Sequence, residues 1–308
     1  MQWTQIKTLF IFSFLILDLF LLTQLLSKQQ EADLEVMERN NTTIEQQLED
    51  ENIEITASLE ENGDKDKLEE NYIAVGQKNL GDKEKSELKA LDNQTPQIIG
   101  NNVIVSNFKD PIKIPEDGSE ENISALFGQL FLYPEQYTFW NWNKEMNVLL
   151  FFQEKSDRPV YYNQSGIVMV FLNDDNEMTF YVQTLLGDAE KSGSEKQLIT
   201  PLTAIEELYK AKELYPDDEV TKVDIGFHTM VPLPNGIQSF APSWKVTVND
   251  KKHFFVNAIE GRIFFSDELQ FLEDTIMSMR DKILESDMDQ KEKEKIIAQL
   301  EEKLDTSE

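Results

Sequence analysis

The stretch Leu9 to Leu26, LFIFSFLILDLFLLTQLL, constrains this chain more than any other. Only Ser13, Asp18, Thr23 and Gln24 in it are polar. At about 1.5 Å of helical rise per residue the run covers roughly 27 Å, close to the ~30 Å hydrocarbon thickness that a spanning helix must cross. A secretory signal peptide is the competing reading, but Thr23-Gln24-Leu25-Leu26-Ser27-Lys28 offers no small-x-small cleavage site. The run is therefore read as a retained transmembrane helix, 9–27 with its flanks. Lys7 and Lys28 lie on opposite sides and barely discriminate orientation. The brevity of the 1–8 tail leaves it in the cytoplasm and exports the rest.

Asp18 falls near the middle of the span, where an unpaired carboxylate costs about 2.5–3.5 kcal/mol on insertion scales. It reads either as a protonated acid carried by the flanking leucines or as a polar contact to another transmembrane helix. In the second reading the anchor is also a docking surface.

A net charge of -29 argues against nucleic acid and anionic lipid as ligands, since both would be repelled. Without cysteine there is neither a disulfide framework nor thiolate chemistry, so an exported domain must rest on its apolar core. The folded part that follows, down to Phe265, runs to about 225 residues, room for two domains.

Residues 28–40 form a charged stalk. A small α+β domain is expected over 41–110. Thr42 or Thr43 opens its first helix, with Gln46 completing a capping box. Strands at 53–57 and 71–76, a helix at 83–91 and strands at 98–99 and 102–108 follow, the last two joined by a Gly100-Asn101 turn. Pro111 to Gly118 marks a boundary. Residues 118–187 then read as a helix burying Ile123, Leu126, Phe127 and Leu130, followed by strands at 137–142, 147–153, 160–162, 166–172 and 178–185. After a Ser192-Gly193-Ser194 loop the order recurs over 200–266. A helix at 201–214 buries Leu202, Ile205, Leu208 and Tyr209, and strands follow at 219–230, 239–248, 252–257 and 262–265. Two helix-plus-meander units about eighty residues apart suggest an internal duplication. Tyr162-Asn163-Gln164-Ser165-Gly166 and Val256-Asn257-Ala258-Ile259-Glu260-Gly261 each place an asparagine shortly before a turn glycine. The fold class is α+β: a single N-terminal transmembrane helix, then antiparallel sheets each packed with helices.

The chain resembles the YycI family. The residues that carry the resemblance are Trp3, Lys7 and Thr8 with Phe14 to Leu22 at the anchor, Gln136-Tyr137-Thr138-Phe139-Trp140, Asn143-Lys144-Glu145, Ser165-Gly166, Phe171-Leu172-Asn173, Pro242-Ser243-Trp244 and Phe255 to Gly261. It covers Met1 to Phe265, and the order and spacing of the pieces carry it. It implies a membrane-anchored accessory protein of a Gram-positive, cell-wall-related two-component system. Such a protein would act with a YycH-like protein on the sensor histidine kinase WalK (YycG) through transmembrane helices, with Asp18, Phe14, Leu15 and Leu22 as partner contacts. The second unit also resembles PepSY-type units of other exported regulators.

The tail 267–308 departs from that pattern. Leu272, Ile276, Met279 and Ile283, then Ile297, Leu300 and Leu304, recur at coiled-coil spacing, with 287–295 interrupting. Few apolar positions are available to order it, so a solvated or loosely packed helix is expected, with an added partner-binding helix as the other reading.

Enzymatic features are sparse. His228 and His253 each stand alone in a strand without a ligand at metal spacing. Ser86-Glu87-Leu88-Lys89 matches S-x-x-K without its companion motifs. Asn173 to Glu177 carries calcium-friendly oxygens but not an EF-hand pattern, and reads as a turn. No catalytic residue, metal ligand or cofactor is assigned. Tyr137, Phe139, Trp140 and Trp142 cluster in one strand. Alternation puts Tyr137, Phe139 and Asn141 on one face and Trp140 and Trp142 on the other, as core or as an ectodomain contact patch. The function expected is a non-enzymatic regulator of the kinase. The alternative is an anchored domain that inhibits an exported hydrolase or senses wall material.

Overall fold

A computed structural model describes residues 43–59, 69–114, 120–128, 130–232 and 236–305. The expected cytoplasmic tail, membrane helix and stalk lie outside them. Among the described residues no helix is long and apolar enough to cross a membrane.

The chain divides into two compact units. The smaller comprises, of the described residues, 43–55 and 214–219. Its helix α1 (Ile44–Asp50) starts with the expected capping box: the Gln46 N–H donates to Thr43 Oγ1 at 3.4 Å and the Thr43 N–H to Gln46 Oε1 at 3.2 Å. Leu48 and Ile53 are buried, and the strand that follows, β1, is only Glu54–Ile55.

In the larger unit, β3 (Gln94–Ile99), β4 (Val103–Lys113), β9 (Glu177–Thr184), β8 (Ile167–Leu172), β6 (Val148–Lys155) and β5 (Tyr137–Asn143) form one antiparallel sheet in that order. Gly100 and Asn101 both take positive φ in the turn between β3 and β4, as a tight hairpin requires. A second group runs β10 (Leu186–Gln197), β2 (Glu69–Gln77), β12 (Ile237–Val248), β11 (Glu219–Pro232), with β13 (Lys252–Asn257) and β14 (Ile263–Phe264) continuing from β12. The short strand β7 (Arg158–Tyr161) joins the two groups, antiparallel to β6 and parallel to β11. Strands from 69–113 are thus divided between both groups and form no sheet of their own, because β2 is sandwiched by β10 and β12 while β4 pairs with β9. β10 replaces the expected loop. Each of the helices α3 (Glu120–Phe127) and α4 (Pro201–Lys210) precedes an antiparallel meander, but β14 has two residues where β9 has eight, and the likeness is one of connectivity.

The first sheet is covered on both faces. Leu149 and Phe151 of β6 and Val168 and Val170 of β8 pack with Leu88 of α2 (Asp82–Ala90) and Ile123 and Phe127 of α3. Leu150, Phe152, Met169 and Phe171 point the other way, into a core completed by α5 (Glu268–Glu285) and α6 (Gln290–Asp305). The tail is therefore not solvated or loosely packed. Leu272, Ile276, Met279, Ile283, Ile296 and Leu300 are all buried, because their stripe meets the second face of that sheet. Ser286 ends α5, its Oγ donating to Ile283 O at 2.7 Å, and the interruption expected near 287 is the bend between the two helices. α4 begins on Thr200, whose Oγ1 accepts the Thr203 N–H at 3.1 Å. It buries Ala204, Ile205 and Leu208, with Leu202 and Tyr209 half-buried.

Where β7 meets β11 there is no room for a side chain at Gly226. A Cβ there would lie 2.8 Å from the Pro159 carbonyl oxygen and against the Tyr161 ring. Gly76 in β2 has nothing within 4 Å of the same position. In urea denaturation Gly226→Ala is expected to lose about 1–3 kcal/mol, and Gly76→Ala to stay within about 0.5 kcal/mol of wild type. Equal effects would contradict the close approach at the seam.

Candidate functional site

The aromatic strand β5 does not keep a simple alternation. Its pairing with β6 shifts between Phe139 and Asn141, a bulge that leaves Trp140 as the extra residue and reverses the faces after it. Tyr137, Phe139 and Trp142 therefore share the face toward α3, and Trp140 takes the other. This corrects the expected grouping of Trp140 with Trp142. Tyr137 donates its hydroxyl to Thr184 O at 2.6 Å, and the Phe139 and Phe151 rings sit 5.3 Å apart. Trp142 Nε1 donates to Asn147 Oδ1 at 3.0 Å, with the Lys144 ammonium over its ring. All four aromatic side chains are half-buried, so they do not make a bare apolar patch.

Trp140 sits at a convergence of elements. Its Nε1 donates to Glu268 at 2.8 Å, and Asn141 and Asn143 donate to the same carboxylate at 3.0 Å each. Glu268 opens α5 directly after the cap Asp267, whose side chain accepts the Gln270 N–H. One carboxylate thus fastens the start of the C-terminal helices to β5. The Trp140 ring lies 4.8 Å from His253 and 5.5 Å from Tyr161, with Lys245 Nζ 5.2 Å from its centroid. Lys245 on β12 stands directly across from Asp224 on β11 and pairs with it at 3.0 Å, and Lys222 reaches the same oxygen at 3.1 Å. Burial raises the Asp224 pKa, but the two ammoniums outweigh it and hold the carboxyl below its usual range. His253, on Thr247 Oγ1 at 3.1 Å, is pushed down by burial and by Lys245.

Trp140, Tyr161, Lys222, Asp224, Lys245 and His253 line a cleft of about 570 Å³, within the size of ordinary ligand sites. Arg158, paired with Glu70 at 2.7 Å, forms part of its wall. The cleft offers aromatic faces and ammonium donors, the means of recognition. Among the described residues no group of three or more histidines and carboxylates is placed to hold a metal ion. A smaller cleft of about 430 Å³ shares His253 and is rimmed by Phe265, which is 86% exposed. Sequence reasoning found Trp140 but missed Tyr161, Lys222, Asp224, Lys245 and Glu268. The available signal was the lysine set inside the otherwise buried run Ser243 to Val246 and the charge alternation from Lys222 to Asp224. The intramembrane candidates Asp18, Phe14, Leu15 and Leu22 lie outside the described residues.

His228 is a buried strand residue with both ring nitrogens engaged. Thr229 O can only accept, so Nδ1 donates to it at 3.3 Å and Nε2 accepts from Ser266 Oγ at 3.0 Å, with the ring stacked on Phe264 at 4.3 Å. Burial lowers its pKa to about 4. The unfolded chain takes up the proton near pH 6.5, before the folded one does, so stability present above pH 6.5 is lost as pH falls toward 4. Between pH 7.5 and 5 this amounts to about 2 kcal/mol. Urea titrations at both pH values are expected to show that much less acid destabilisation in His228→Gln than in wild type. An equal loss in both would contradict the neutral buried imidazole.

A sheet-rich α+β protein with a cleft walled by aromatic and lysine side chains is the class that this geometry defines. Residues 31–259 match the family described as YycI protein, and the chain belongs to that family. YycI proteins are a regulatory family, associated with the YycG/WalK system. The match ends before α5 and α6. Among solved structures, an uncharacterized protein from Eubacterium rectale is similar at a TM-score of 0.41 and 11% identity, over 65% of this chain and 87% of that one. YycH from Bacillus subtilis is similar at a TM-score of 0.36 and 13% identity, over 62% and 53%. No curated protein matches the sequence.

Proposed function

We propose that this protein is a non-enzymatic, membrane-anchored regulator that sets the activity of the sensor histidine kinase WalK (YycG) together with a YycH-like partner. The family match over residues 31–259 carries this reading. The anchor at 9–27, the cytoplasmic 1–8 tail and an extracytoplasmic C-terminal region complete the topology. Regulation works by population shift: contacts at Phe14, Leu15, Asp18 and Leu22 that differ in free energy between kinase-on and kinase-off states bias the balance by that difference. An intramembrane hydrogen bond from Asp18 is worth about 1–2 kcal/mol, a five- to thirty-fold bias.

Transcripts of the kinase's target genes, measured at matched protein levels, test the proposal. Asp18→Leu, and the ectodomain placed on an unrelated transmembrane helix, are both expected to lose regulation. If both regulate like wild type, the helix is a tether and the intramembrane mechanism fails.

A further inference from the structure

Between the last strand and the first turn of α5 stand Phe265, Ser266 and Asp267, and this root of the C-terminal layer is thinly held. β14 has two residues and, among the described strands, pairs with β13 alone, Phe264 with Phe255 and Ile263 with Val256. Phe265 is 86% exposed, and Asp267 uses its side chain as the cap of α5. Ser266 is tied to the sheet through His228 Nε2 at 3.0 Å, and the Phe264 ring lies 6° from parallel on the same imidazole. The cleft of about 430 Å³ is lined by Ile263, Phe264, Phe265 and Ser266, so solvent reaches along this segment.

The tautomer of His228 fixes which nitrogen can titrate. Nδ1 already gives its proton to Thr229 O, so an added proton goes to Nε2, the nitrogen that accepts from Ser266. Nε2 then becomes a donor, and the Ser266 hydroxyl loses its acceptor. The side chain is packed by Phe255 of β13, Phe264 of β14 and Tyr162 of the turn after β7. Of these only Tyr162 is titratable. Asp267 and Glu268, next along the chain, bear on the Tyr162 hydroxyl, and the imidazole keeps no counter-charge among the described residues. A buried imidazolium without a counter-charge must be rehydrated. The side that opens with the fewest bonds broken is that of Ser266 and β14.

We propose that His228 is a proton sensor at the root of the C-terminal layer: one proton taken up on Nε2 releases residues 263–267 from the sheet while β6 and β8 stay folded. Release of the root also slackens Glu268 and with it the hold on Trp140. The inference concerns the described strands and helices and does not rest on the kinase reading.

Native-state hydrogen exchange of the full-length protein in detergent tests it. Residues 263–271 are expected to exchange faster than 167–172 and, unlike them, at a rate that low urea does not change, the sign of a local opening. From pH 7.5 to 5, after correction for the intrinsic rate, their protection is expected to fall about thirtyfold, the ratio set by proton uptake near pH 6.5 in the open form and near 4 in the closed one. His228→Gln is expected to abolish the fall, and His253→Gln to keep it. Ser266→Ala, which removes only a hydroxyl, is expected to cut the protection of 263–271 about fivefold at pH 7.5. Exchange of 263–271 in step with 167–172 at every urea concentration would overturn the proposal. So would a fall that persists in His228→Gln, or protection untouched by Ser266→Ala.

Discussion

The structure depends on the burial of β6 and β8 from both sides. Val148 to Gln153 and Ile167 to Leu172 are buried without a break, six residues in each strand. A strand with water on one side alternates, and an unbroken apolar run needs a layer on each face. Each large side chain so enclosed contributes about 1.5–3 kcal/mol against exposure. α2 and α3 supply one cover, and α5 and α6, beyond the family-matched region, supply the other. The C-terminal helices are thus an outer layer of the core, held by shape and apolar area and fastened at one end by Glu268.

That fastening ties the cover to the cleft. Trp140, Asn141 and Asn143 leave β5 on the side of α5 because the bulge reverses the strand's faces, and all three end on Glu268. Trp140 then forms a wall of the cleft, with Tyr161 of β7 seated over Gly226. The seam between the two strand groups, the root of α5 and the cleft are linked through Trp140 and Tyr161.

Much of this was legible in the sequence where local chemistry decides the outcome. The Thr43 capping box, the Gly100-Asn101 turn and most strands of both meanders stand where caps, turn residues and periodicity place them. Asn163 and Asn257 each accept a backbone N–H two residues on, from Ser165 and Ile259, and that local turn explains the similarity of the two segments. What was not legible depends on partners far away in the chain. β10 is mostly exposed and polar, held by its backbone ladder to β2, so its side chains carry no period. The division of β2 and β4 between two strand groups is long-range pairing. The packing of α5 and α6 is not legible from their own stripe, because the apolar surface that orders it belongs to β6 and β8. The unbroken runs in β6 and β8 already called for a second cover, and the stripe at Leu272 to Ile283 was the segment left to provide it. The bulge at Trp140 has no sequence signature, so the faces of the aromatic strand were misassigned.

Amide exchange of β6 and β8, compared between the full chain and a chain ending at Ser266, tests the double cover most directly. With both covers in place these amides exchange only when the whole domain opens. Removal of α5 and α6 is expected to collapse their protection. Protection that survived the truncation unchanged would contradict the central role given to the C-terminal layer.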